Sequence, residues 1–169
     1  EVRSWKDLNK NTTKIVKFLK SINIKKGQRV AAYMPSTIQT IESFLATSAI
    51  GAIWSSCSPD FGVNGVIERF IQIRPSVLII CDRYYYNGKE INVLERLNKI
   101  LKKIPSIKKV IIVNYPGKKY INLNHIKSNK IHYWKDIPNT KVDKISFEKF
   151  DFDHELAILY SSGTTGKPK

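Results

Sequence analysis

Cysteine is nearly missing from this sequence: Cys57 and Cys81 are the only two among 169 residues. Neither belongs to a C-x-x-C pair, and His125, His132 and His154 stand far apart without ligand spacing. A disulfide framework and a metal cluster are therefore excluded, and no metal-ligating set is expected. Both thiols lie in apolar runs, which suits buried free cysteines in a reducing cytoplasm. Long hydrophobic runs are also missing. The most apolar stretch, residues 43–54, is interrupted by Ser, Thr and Gly and falls short of the roughly 20 residues a bilayer requires. No secretory leader pattern is visible, so no membrane association is expected. Arginine is scarce too: six of the 29 basic residues are Arg and 23 are Lys. With only 14 acidic residues the formal net charge reaches +15, which raises the question of nucleic acid. Base and phosphate recognition leans on Arg as well as Lys. The lysines are instead dispersed in pairs such as Lys25-Lys26 and Lys108-Lys109, as on a solvated Lys-rich surface, and no nucleic-acid partner is expected.

What the sequence does contain is alternation. Ser4 and Asp7 have capping-box spacing, with Asp in place of Glu or Gln, and Leu8, Ile15, Leu19 and Ile22 follow on one helical face. This predicts a helix over 5–21. Residues 29–34 read as a strand. A helix capped by Ser36 runs to about 50, with Ile38, Ile41, Leu45 and Ala49 inward, and 52–57 is a second strand. A helix over 63–73, a strand over 77–81, a helix over 90–103 and a strand over 110–113 continue the pattern. Strands that are apolar throughout, separated by helices, define an α/β fold: a mostly parallel sheet with helices on both faces. The chain divides into a lead-in helix (1–28), an alternating core (29–114), a long connection with one or two short elements (115–153), and a final strand over 156–160 feeding a loop (154–169). With a Gly-rich loop at its very end, the sequence is expected to be part of a longer protein.

The loop is Tyr160-Ser161-Ser162-Gly163-Thr164-Thr165-Gly166-Lys167-Pro168-Lys169. Small and hydroxylated residues after a buried strand let successive backbone N–H groups converge without obstruction from Cβ atoms, and such a nest binds anions. Lys167 and Lys169 add charge suited to a polyphosphate. The spacing is not that of a Walker A loop, because two residues rather than four separate Gly163 from Gly166, and Pro168 follows Lys167. No G-x-G-x-x-G dinucleotide fingerprint occurs either.

That string resembles the signature loop of the adenylate-forming superfamily, which includes acyl-CoA synthetases, peptide-synthetase adenylation domains and luciferases. The resemblance implies that Ser161, Ser162, Gly163, Thr164, Thr165, Gly166 and Lys169 hold the β- and γ-phosphates of ATP, with Thr164 and Thr165 as the main hydroxyl donors. Within the superfamily, Trp54 to Phe70, containing Ser58-Pro59-Asp60-Phe61-Gly62, and Tyr86-Asn87-Gly88-Lys89-Glu90 are similar to acetoacetyl-CoA synthetases. This implies a ligase reaction in which acetoacetate and ATP form an acyl-adenylate and pyrophosphate, and the thiol of coenzyme A then displaces AMP. ATP, Mg²⁺ and coenzyme A are the implied small molecules. Another short acid, such as acetate or propionate, is the alternative within the superfamily, and a basic nucleic-acid-binding module is the alternative outside it.

Three groups keep two readings each. Asp60 with Gly62 is either part of a substrate-facing segment or a cap for the next helix. Arg83 and Lys89 either contact the phosphates of coenzyme A, as the resemblance suggests, or are solvated charges. Trp54 is either a substrate wall or core. The resemblance implies further parts that these residues do not include: the adenine-stacking aromatic, the ribose-binding Asp and the adenylation Lys. No catalytic residue is therefore assigned here, and the 169 residues alone are expected to be inactive.

Overall fold

A computed structural model describes residues 2–121, 130–139 and 147–161. It opens with α1 (Trp5–Ser21). The Ser4 hydroxyl oxygen accepts from the Asp7 N–H at 3.1 Å, so the cap works with Asp in the acidic position. Ile15, Val16 and Leu19 bury the inner face.

Five strands make one all-parallel sheet in the order β2-β1-β3-β6-β7. These are β1 (Arg29–Tyr33), β2 (Ile53–Cys57), β3 (Val77–Cys81), β6 (Lys109–Val113) and β7 (Ile131–Tyr133). β3 is buried at every position, because both faces of a parallel sheet are covered and the strand needs no polar side. The crossover helices are α2 (Ile38–Ala49), α3 (Val63–Ile73) and α4 (Leu97–Lys103). The chain steps from β1 to β2 in one direction and from β2 across β1 to β3 in the other. Right-handed crossovers therefore put α2 on one face and α3 and α4 on the opposite one.

The expected inner face of α2 is corrected. Ile41 is exposed, and Ile38 and Leu45 are only half-buried; the buried positions are Gln39, Glu42, Ser43, Ala46, Thr47 and Ala49. The small Ser43, Ala46, Thr47 and Ala49 allow the helix to seat closely, and the buried hydroxyls satisfy themselves locally: Ser43 donates to the Gln39 carbonyl and Thr47 to the Ser43 carbonyl. The N-cap is Thr37, not Ser36.

The helix expected over 90–103 is also corrected. Its first part is the second arm of an antiparallel ribbon, β4 (Arg83–Tyr86) with β5 (Lys89–Asn92). A 3-10 turn at Leu94–Arg96 then leads into α4. Asn87 and Gly88 form the two-residue turn, with φ of 47° and 72°, the left-handed pair that a tight hairpin demands. At the end of α3, Arg74 adopts a left-handed φ of 47°. The Arg29 guanidinium donates to the Ile73 carbonyl at 2.7 Å, covering a carbonyl the helix leaves unpaired.

The stretch 115–153 does contribute structure: β7 and a 3-10 turn at Trp134–Asp136 extend the sheet beyond β6. The final segment returns to the other edge. It is not a full strand over 156–160 but a single parallel bridge, Trp54 with Ala157. The Trp54 N–H donates to Leu156 and the Ile158 N–H to Trp54. Upstream, the Phe150 ring lies over Gly51, whose φ is 65°; a Cβ there would stand 2.4 Å from the ring. His154 stacks on Phe150, and its Nε2 donates to the Gly51 carbonyl at 2.9 Å.

Candidate nucleotide-phosphate site

In an open parallel sheet, ligands collect beyond the carboxyl ends of the strands, next to the point where strand order reverses. Here that point is β1, and the residues gathered at that edge are Tyr33, the 57–62 loop and the 81–83 junction. The Tyr33 hydroxyl is buried and directs its proton at the Phe61 carbonyl, 2.6 Å away, with the Pro59 carbonyl at 3.1 Å. Arg96 donates to the same hydroxyl and, at 2.9 Å, to Pro59. Burial raises the Tyr33 hydroxyl above its usual pKa, partly offset by Arg96, so it remains protonated at neutral pH. The 58–62 loop is thereby held from beneath at two carbonyls.

Asp60 does not cap α3. The N-cap is Gly62, while the Asp60 carboxylate accepts from the Ser58 hydroxyl at 3.0 Å. Trp54 is 5% exposed and meets Phe44 edge-on at 5.9 Å, which makes it core. Phe61 is exposed, with the Arg69 guanidinium 4.2 Å over its ring.

Arg83 and Lys89 are not brought together. They sit at opposite ends of the β4–β5 ribbon, where Arg83 pairs with Asn92 and Tyr86 with Lys89. The Arg83 guanidinium donates to the Asp82 carboxylate at 3.1 and 3.2 Å, to Glu90 at 2.9 Å and to the Lys119 carbonyl at 2.7 Å. Asp82 is fully buried, and its second oxygen accepts from the Tyr115 N–H. Arg83 is thus the knot of a network that runs from buried Asp82 to exposed Glu90, while Lys89 at the tip is exposed. The Tyr85 hydroxyl donates to Glu90 and, with Arg83, holds that carboxyl below its ordinary pKa. Sequence reading missed this ribbon although Asn87-Gly88 is its signal.

The final segment meets the same edge. Because residues 156–158 run parallel to β2, the chain reaches Tyr160 beside the carboxyl end of β2. The Tyr160 hydroxyl donates to the Arg69 carbonyl at 2.6 Å. Ser161 is exposed; Ser162, Gly163, Thr164, Thr165, Gly166 and Lys169 lie outside the described residues. Among the described residues no group of His, Cys, Asp or Glu is placed to hold a metal ion, and no helix is long and apolar enough to cross a membrane. Burial pushes the Cys57 thiol up to about 11 and Cys81 to about 12, so neither is a nucleophile at neutral pH.

A doubly covered parallel sheet whose carboxyl edge receives Tyr160, followed in sequence by a Ser/Thr/Gly string, has the architecture of a nucleotide-handling α/β protein. The family model described as "AMP-binding enzyme" matches residues 1–169, and the chain belongs to that family. Among individual proteins it is similar to the acetoacetyl-CoA synthetase of Xenopus tropicalis, with 41% identity over 98% of this chain and 25% of the relative. The acetoacetyl-coenzyme A synthetase of Rhizobium meliloti (strain 1021) is 39% identical over the same shares. The solved acetoacetyl-CoA synthetase from Streptomyces lividans superposes with a TM-score of 0.85 at 32% identity, covering 98% of this chain and 24% of that one. The chain therefore spans about a quarter of the length of the relatives it matches.

Proposed function

We propose that the whole protein is an ATP-dependent acid–thiol ligase that activates acetoacetate. Its carboxylate oxygen attacks the α-phosphorus of ATP, the bond to the β-phosphate oxygen breaks, and pyrophosphate leaves. The coenzyme A thiolate then attacks the acyl carbonyl, and AMP departs from the tetrahedral intermediate with the bonding electrons. The observation that carries this reading is the string Ser161-Ser162-Gly163-Thr164-Thr165-Gly166-Lys167-Pro168-Lys169, following a segment paired with β2 in a chain of the AMP-binding family.

In this reading Ser161 to Gly166 and Lys169 cradle the departing pyrophosphate, and they contribute by positioning and charge stabilisation rather than by covalent attack. The described residues offer no ligand set for Mg²⁺; the ion enters with the phosphates as part of the substrate, and no step is assigned to it. Of the two candidates for the phosphates of coenzyme A, Lys89 presents an exposed ammonium, and Arg83 contributes by bracing the ribbon that carries it. Two inert buried thiols suit a reducing cytoplasm, which supports a cytoplasmic location. The test is AMP release by the full-length protein with ATP, Mg²⁺ and coenzyme A, comparing acetoacetate, acetate, propionate and 3-hydroxybutyrate. Fastest turnover with acetoacetate is expected; preference for another acid would keep the ligase chemistry and reassign the substrate.

A further inference from the structure

We infer that Arg69 is a positioning residue that ties the 58–62 loop to the start of the phosphate-binding string, acting through Tyr160. The inference rests on the ligase reading for its meaning, but its geometry stands alone. The Arg69 guanidinium carbon lies 4.2 Å from the Phe61 ring centroid and 5.8 Å from that of Tyr160. Its Nη1 donates back one turn to the Gly65 carbonyl at 2.9 Å, which fixes the plane of the group. The Arg69 carbonyl accepts from the Tyr160 hydroxyl. Side chain and main chain of one residue therefore grip Tyr160 at both its ring and its hydroxyl, one residue before Ser161.

The surroundings are shaped for this arrangement. At Gly65 an added Cβ would stand 3.4 Å from Arg69 Nη1 and 3.7 Å from the Phe61 ring, ordinary contact distances, so the sandwich lies directly against this position. Phe61 is held in turn by the Tyr33 hydroxyl at its carbonyl. Among the described residues no carboxylate pairs with Arg69, so its place is set by the two rings and the Gly65 carbonyl. Phe61 comes from one end of the crossover after β2, and Tyr160 from far along the chain. Arg69 is where these two pieces become one surface, and a cation held over aromatic faces is a directional contact.

The experiment is a double-variant cycle on the full-length protein, titrating ATP by calorimetry in the absence of acid and coenzyme A. Arg69→Met keeps the length of the side chain and removes the guanidinium; Tyr160→Leu removes the ring and hydroxyl. Each single change is expected to weaken ATP binding about tenfold, and the double variant no more than the worse single one, because they break one connection. Tyr160→Phe, which removes only the hydroxyl bond, is expected to weaken it about threefold with little effect on folding. The KM for the acid should stay unchanged in every variant that folds. An unchanged ATP Kd in Arg69→Met, or losses that multiply in the double variant, would overturn the inference. A wild-type protein that binds ATP but releases no AMP with any acid would overturn the ligase reading instead, and leave the cycle interpretable.

Discussion

The sheet is built differently on its two sides of β1. Toward β3 and β6 it is apolar throughout, with Leu78, Ile79, Ile80, Val110, Ile111 and Ile112 fully buried, and every neighbour there is a full strand. Toward β2 the outer partner arrives from a segment 103 residues further on, as the Ser55 hydroxyl bond to the Ile158 carbonyl measures. That side is held by one bridge, by Phe150 over Gly51, and by His154 and Tyr160 donating to main-chain carbonyls. The first side supplies stability through apolar burial, which has no direction. The second supplies placement through directional bonds at the edge where the Ser/Thr/Gly string begins.

The largest effect that would sharpen this contrast belongs to the apolar side. Ile79→Ala, in the middle of the wholly buried β3, should cost about 3 kcal/mol of unfolding free energy in denaturant titration, with the ATP Kd of the surviving folded fraction unchanged. On the directional side Gly51→Ala should cost about 2 kcal/mol, because the new Cβ meets the Phe150 ring and the positive φ disfavours alanine. Unlike Ile79→Ala, it should also weaken ATP binding, since it displaces the segment that leads to Ser161. Equal behaviour of the two variants in ATP titration would erase the contrast.

A smaller effect concerns the far edge. His132 on β7 packs edge-on against Phe18, and burial, with help from Lys109, holds its pKa below the ordinary value of 6.5. The unfolded chain therefore takes up a proton at a higher pH than the folded one. Stability is full above pH about 6.5 and falls as acid carries the solution below it, toward the lower folded pKa. His132→Gln should flatten this part of the stability profile relative to wild type, as read from thermal midpoints between pH 7 and 5.5.

The same contrast explains what could be read from the sequence. β3, β6, α1 and α3 were legible because burial on both sheet faces writes a continuous apolar run, and an amphipathic helix writes a period of 3.6. α2 misled because its inner face is small and polar: Ser43 and Thr47 bond their own helix, and Ile41 is left outside. The β4–β5 ribbon was hidden by Ile91 and Leu94, which fit a helical spacing, although Asn87-Gly88 marks a hairpin. The pairing of Ala157 with Trp54 carries no local mark, and neither does the gathering of Phe61, Arg69 and Tyr160. The Ser/Thr/Gly string itself was plain in sequence, because small and hydroxylated residues in that order are a local signal; what the fold adds is the set of contacts that bring Tyr160 to the edge.

The most direct measurement of the central claim is exchange of labelled pyrophosphate into ATP by the full-length protein, supplied with acetoacetate and Mg²⁺ but no coenzyme A. An acyl-adenylate formed reversibly at this site predicts exchange that requires the acid and proceeds without the thiol. Exchange that is absent without coenzyme A, or ATP consumed to ADP and phosphate, would contradict it.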